Sequence, residues 1–316
     1  MPKNTKIVLN EGAERVSDYA FYECKGLTSV LIPNSVTSIG GSAFRDCSNL
    51  ATVICMSKKG VEFGMYAFFG IDSTAVLSLP PFCEEVYDDD WYDYFKHVIT
   101  DIKVDGLYYN IDDDDDGTAW LEDPILDRKP YSGDIVIPSS VTYEGVVYPV
   151  VGIDNGAFEN ATIKSVVIPD GVRNIDDRSF YNCEELTSIT IPKTVRSIGE
   201  SAFMYCDEVE TLVCLVKNPF PIKGKGEEGA VFSNYFFNNV PLYVPKGTAD
   251  TYRETEGWKD FANIVDGIPT GIEKVGYSDS KVMDYYDMSG RRMSKAHHGI
   301  GIIHGSDGTI RKNIIK

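Results

Sequence analysis

Apolar and polar residues alternate along this chain only in short bursts, and each burst is cut off by a residue that ends strands. Leu186-Thr-Ser-Ile-Thr-Ile191 places Leu186, Ile189 and Ile191 on one side, and Pro192 follows at once. That period of two predicts a short half-buried strand, and a proline cannot donate to the next rung of a ladder. The bursts recur. Sliding the sequence by 23 residues puts Phe21 on Phe44, Cys24 on Cys47, Leu27 on Leu50 and Val30 on Val53. The same offset carries Ile175, Phe180 and Cys183 onto Ile198, Phe203 and Cys206, and Ile7 and Leu9 onto Val30 and Ile32. A further copy, Ile153-x4-Phe158, has Ala161 at the cysteine position and lacks one residue before Ile163.

The clearest unit runs from Val172 to Pro192: strand residues, Ile-Gly or its equivalent, a small residue before phenylalanine, cysteine, then Leu-Thr-Ser-Val-x-Ile-Pro. The small residues (Ala20, Ala43, Ser179, Ala202) are expected to meet the needs of a tight turn, with Phe180 and its equivalents filling the space between two walls. A period in the twenties with Leu-x-x-Val-x-Ile is the mark of leucine-rich repeats, whose units bury their apolar side only by stacking. The predicted fold is α/β and β-rich, a right-handed leucine-rich-repeat solenoid in two arrays.

Each array ends alike. Val76–Pro80 and Pro241–Pro245 are strands stopped by proline, followed by Trp91–Ile99 and Trp258–Val265, aromatic-anchored segments that read as caps over the last core face. The expected organisation is a first capped array over 1–99, a β-rich entry segment over 100–151, a second capped array over 152–266 and a small C-terminal β module over 267–316. In that last stretch Asp284–Met293 reads as strand, turn, strand, with Gly299–Ile303 and a basic end after it.

Composition narrows the function classes. With 43% hydrophobic and 12% aromatic residues the chain can build a core, and its formal charge is −18, from 48 Asp plus Glu against 30 Lys plus Arg. That charge repels nucleic acid and anionic lipid and favours cationic partners or cations. No stretch is long and apolar enough to span a membrane as a helix, and Met1-Pro2-Lys3-Asn4 does not read as a secretion signal.

The repeated Ile-Gly-x-x-Ala-Phe-x-x-Cys-x-x-Leu-Thr-Ser-Val-x-Ile-Pro units resemble the BspA-type leucine-rich repeats of bacterial surface proteins, over residues 5 to about 265. The lead-in from Asp105 to Val150 is similar to the entry segment of that family. Tyr286-Asp-Met-Ser-Gly-Arg-Arg292 with Gly299–Ile303 and terminal Lys316 is similar to the sorting modules that direct export across an outer membrane, departing from them at Gly301, where an aromatic is usual. The resemblance implies an extracellular, surface-attached adhesin-like protein that binds a protein or glycan, host matrix among the ligands, without a cofactor. Its rivals are a structural spacer of the cell surface and a glycan-docking accessory to a separate enzyme.

Candidate sites follow from the register. Cys24, Cys47, Cys183 and Cys206 share one phase and should form an internal column of free thiols, with disulfide or metal binding as the lesser alternative. Cys55 and Cys214 take the inward phase of Ile32, and Cys83 has no register. Asp112, Asp114 and Asp116 with Gly117 match the first half of a calcium loop, and Asp123 falls at its twelfth position. Strand-like flanks, and Trp120 where a ligand or water should be, favour a solvated hairpin turn over a metal site. Outward strand positions form two rows. Ser29, Thr52, Ser165, Ser188 and Thr211 make a hydroxyl ladder, and Leu31, Ile54, Val167, Thr190 and Val213 a mostly aliphatic one. Cross-strand pairing explains such rows, and a contact surface is the hypothesis set against it. No catalytic motif is present. His97 lies in a cap and His297, His298 and His304 in the tail, while Glu184-Glu185 and Glu227-Glu228 read as solvated charge.

Overall fold

The computed structural model describes residues 1–268 except 84, 85, 88, 96, 113–116 and 126–128, together with the backbone of four strands nearer the C-terminus. It divides into two compact units, Met1–Lys103 and Val104–Lys316.

In the first unit the predicted strands stack in parallel as Thr5–Val8, Leu27–Ile32, Thr52–Cys55, Val76–Ser78 and His97–Ile99. Cα partners run Ser29 to Thr52 and Val30 to Val53, so equivalent letters of successive repeats sit side by side. A second, narrow ladder joins Arg15–Val16, Ser38–Ile39 and Glu62–Phe63. Between the two ladders each coil makes a tight turn around its phenylalanine. Two residues per turn take left-handed backbone, two before and two after that phenylalanine: Tyr19 and Glu23, Ser42 and Asp46, Tyr66 and Gly70. A non-glycine residue there costs on the order of 1 kcal/mol. The turn is held because its amides face the next coil: Phe21 N donates to Ala43 O at 2.7 Å, and Glu23 N to Arg45 O at 2.9 Å. The turn therefore becomes a third inter-coil ladder.

The small residue before phenylalanine has a different reason from the one expected. Ala43, Ser179 and Ala202 are fully buried, and positive φ falls on their neighbours instead. The restriction is one of space under the adjoining coil, so any larger side chain would overpack it.

The phenylalanines stack as predicted. Ring centroids of Phe21 and Phe44 lie 5.0 Å apart at 10°, and Phe44 and Phe68 5.2 Å apart at 2°. In the second unit the column is Phe158, Phe180, Phe203 and Phe232, at 4.9, 5.1 and 5.4 Å. Phe68 and Phe232 lie off the 23-residue register, because their coils carry extra residues.

The second unit begins with the entry segment. Leu107–Asp112 pairs antiparallel with Thr118–Glu122, which pairs in parallel with Val146–Ile153. That strand leads into Asn174–Ile175 and Ser197–Ile198. Ser132–Val136 pairs in parallel with Thr162–Val167. Tyr131 stands at the head of the column, 5.1 Å from Phe158, and its hydroxyl donates to Glu122 O and accepts from Tyr108 N. The segment thus closes the open end of the array. The other sheet runs Ser188–Ile191, Thr211–Cys214, Leu242–Val244 and Ile264–Asp266.

Among the described residues α-helix is confined to short pieces, Asp89–Tyr94, Asn234–Asn239 and Ala249–Glu254. Ser233 caps the second of these by accepting from Phe236 N, and buried Phe236 and Phe237 lie on Phe232. Near the C-terminus Arg292–Met293, Asp284–Tyr286, Gly299–His304 and Ile310–Ile315 form an antiparallel sheet in that order.

Candidate binding surface

The inward strand residues leave every second position facing out, and the register aligns these into the two rows expected. Ser29 partners Thr52 and Leu31 partners Ile54; Ser188 partners Thr211 and Thr190 partners Val213. Ser165 and Val167 partner Asp134 and Val136 in a two-stranded sheet of their own. The rows are unequally open. Ser188 is exposed, and Ser29, Leu31, Ile54, Ser165, Val167, Thr190 and Thr211 are half-buried. Thr52 is 8% exposed, and Val213 only 1%, flanked by Thr190 and Tyr243. The aliphatic row of the second unit is therefore sealed towards its cap, while the hydroxyl row stays open. Ser165 is not free to meet a ligand with its proton, since it donates to Asp134 Oδ1 at 2.7 Å.

Next to Ser188 lies a groove of about 840 Å3, lined by Lys164, Glu184, Glu185, Thr187, Asp207 and Glu208 among others. Glu184 and Glu185, read from the sequence as solvated charge, form part of this wall. Glu227 and Glu228 belong elsewhere, near Lys223, whose ammonium bonds Glu200 and the Glu228 carbonyl.

The cysteines are structural. Cys47, Cys183 and Cys206 each donate from sulfur to the carbonyl of the preceding coil's phenylalanine: Phe21, Phe158 and Phe180, at 3.0–3.1 Å. All seven are free thiols. Burial pushes Cys47 and Cys214 up to about 11. Cys183 is also raised, first by its contact with Cys206 and then by burial. Cys55 contacts the Tyr87 hydroxyl, Cys214 the Tyr252 hydroxyl, and Cys83 donates to Pro81 O. Such thiols are poor nucleophiles and poor metal ligands.

Among the described residues no group of three or more His, Cys, Asp or Glu side chains could hold a metal ion. Asp114 and Asp116 lie outside the described residues; Asp112 ends its strand, paired with Thr118. Trp120 is held against the sheet over Gly152, where an added Cβ would fall 2.1 Å from its ring. His97 is exposed in the first cap, and the side chains of His297, His298 and His304 lie outside the described residues.

One surface was not anticipated from the sequence. The turns of the first unit expose Tyr19, Tyr22, Met65, Tyr66 and Phe69, with the Arg45 guanidinium 5.5 Å from the Tyr66 ring and 5.6 Å from that of Phe69. The signal was present in the repeat register, because residues either side of each buried Ala-Phe pair must point outwards.

A profile of the BspA-type leucine-rich repeat region matches residues 2–113 and 149–218 in six copies, more than half of the chain. The chain belongs to the BspA-type leucine-rich-repeat family. Solved structures similar to it include a leucine-rich repeat protein from Eubacterium ventriosum ATCC 27560, at 15% identity and TM-score 0.32, covering 84% of this chain and 73% of that one. Another is a leucine rich cell surface protein from Faecalibacterium prausnitzii A2-165, at 15% identity and TM-score 0.27, covering 88% and 92%. A leucine-rich repeat protein from Bacteroides ovatus ATCC 8483 matches at 14% identity and TM-score 0.29, covering 84% and 82%. No curated protein matches. No helix among the described residues of this BspA-type chain is long and apolar enough to cross a membrane.

Proposed function

We propose that this chain is an exported binding protein of the bacterial cell surface, adhesin-like, that recognises a protein or a glycan through the outward strand rows of its repeats. The observation that carries the reading is the outward hydroxyl pair of exposed Ser188 and half-buried Thr211, next to a groove lined in part by Thr187, Glu184 and Glu185. Parallel stacking gives such a row a fixed pitch on a rigid sheet, so little order is lost when a partner docks on it. Family membership supports the same reading, and the C-terminal strands are the segment we assign to sorting and surface attachment. The ligand belongs to the extracellular milieu, host matrix proteins included, and binding uses no cofactor.

A pull-down of the folded chain against matrix proteins and polysaccharides tests this, with Ser188→Arg and Thr211→Arg as the surface variants. Both positions are on the open row, so the fold should survive. Capture by the unaltered chain and its loss in the double variant is the expected result. Equal capture by both would leave the rows as cross-strand packing alone, and a spacer role would then stand in place of recognition.

A further inference from the structure

A cleft of about 430 Å3 opens in the first unit between the third coil and the capping helix, Asp89–Tyr94, lined by Phe63, Gly64, Met65, Tyr66, Asp93 and Tyr94. Three of its six residues are aromatic, and its one formal charge is negative. Phe63 and Tyr94 meet edge to face at 5.7 Å, and Phe63 is braced from behind by Trp91 at 5.0 Å, so two walls are fixed by the core of the cap. Tyr66 makes the third wall. It is 47% exposed, and its φ of 62° turns the side chain out of the coil. Gly64 stays bare because a Cβ there would fall 2.6 Å from the Gly41 amide nitrogen.

Aromatic faces carry the negative part of a ring quadrupole and attract cations within about 6 Å, more strongly once water is excluded. This chain already uses the effect, with Arg45 5.5 Å from the centre of Tyr66 and its own charge offset by Asp46 at 3.4 Å. The chain as a whole carries a net charge of −18. We infer that the cleft receives a primary alkylammonium group, the end of a lysine side chain on a basic partner protein, with the ammonium against Asp93 and the methylene stem along the rings of Phe63, Tyr66 and Tyr94. A neutral sugar fits less well. Apart from Asp93, the lining offers tyrosine hydroxyls as its side-chain hydrogen-bonding groups, so most sugar hydroxyls would be desolvated without partners. An anionic membrane bearing amino lipids is repelled by the same charge that draws a lysine in. The site is separate from the strand rows and stands or falls independently of them.

Amide NMR titration of the full chain with Nα-acetyl-lysine methylamide tests this, with the Nε-acetylated compound as the neutral control. Saturable shifts at Gly64 and Met65 are expected, with affinity for the neutral compound at least about tenfold weaker. Asp93→Asn should weaken binding roughly fivefold or more without lowering the melting temperature, because its side chain is exposed. Tyr66→Asn should weaken binding likewise at a small cost in stability, since its ring also faces Arg45 and asparagine tolerates the left-handed backbone there. Equal binding of the two compounds would overturn the inference. So would unchanged affinity in both variants, shifts confined to the Glu184–Glu208 groove, no shift at all, or a neutral disaccharide binding in place of lysine.

Discussion

The Tyr252 hydroxyl donates to the Val216 carbonyl at 2.7 Å, two residues beyond Cys214, whose sulfur the same hydroxyl touches at 3.1 Å. The first unit repeats this lock with different letters: Tyr87 donates to Ser57 O, two residues beyond Cys55, and contacts that cysteine's sulfur. The parallel extends to the indoles. Trp91 donates to Val61 O and Trp258 to Phe220 O, each six residues past the same cysteine. Each cap thus satisfies two carbonyls that the last coil would otherwise strand in an apolar interior, where an unmet acceptor costs about 1–3 kcal/mol.

Removing the lock tests its weight. Tyr252→Phe keeps the ring and loses the donor, and should destabilise the second unit by about 1–2 kcal/mol. Calorimetry should show a fall of about 2–8 °C in its melting transition. An unchanged transition would mean that water replaces the hydroxyl, and that the cap closes by packing alone.

The phenylalanine column should be far more sensitive. Phe180 is fully buried between Phe158 and Phe203, and Phe180→Ala should cost about 3–5 kcal/mol in denaturant unfolding. Phe180→Leu should fall well short of that loss. Similar costs for the two would count against a stacked column, since leucine refills most of the volume that alanine leaves empty.

Thiol chemistry should separate one cysteine from its equivalents. Cys24 is half-buried, whereas Cys47, Cys183 and Cys206 are sealed and donate to backbone carbonyls. Native alkylation at neutral pH, followed by peptide mass spectrometry, should therefore mark Cys24 first. Labelling of Cys183 or Cys206 at the same rate would contradict the packed interior.

Acid should act on Asp176 in the less usual direction. Burial, then Asp154 and Asp177, raise its carboxyl above the ordinary value. A raised folded value means that the protonated form suits the fold, so this group's contribution is present at low pH and is lost as pH rises through the folded value. Asp176→Asn should accordingly raise the melting temperature at pH 7, and the gain should shrink as the pH is lowered into the carboxylate range. A gain independent of pH would show that charge is not its cause.

Much of this molecule was legible before any coordinates. A 23-residue period, strands ended by proline and one phenylalanine per unit determine a stacked solenoid, because no single unit can bury its own apolar side and every neighbour presents the same face. The inward strand positions and the cysteine column followed from register alone. Other features depended on the tertiary structure. Phe68 and Phe232 join the column although insertions move them off the period, because stacking selects for position in space and not for count along the chain. Tyr131 closes the open end from a segment without a repeat. Val213 is sealed by residues near it only after folding, while Ser188, in the neighbouring strand, remains open. The cleft beside Tyr66 exists because the capping helix comes back against the third coil. Local pattern specifies which side of a strand is apolar; only packing decides which outward positions stay in water, because burial is set by neighbours distant in sequence.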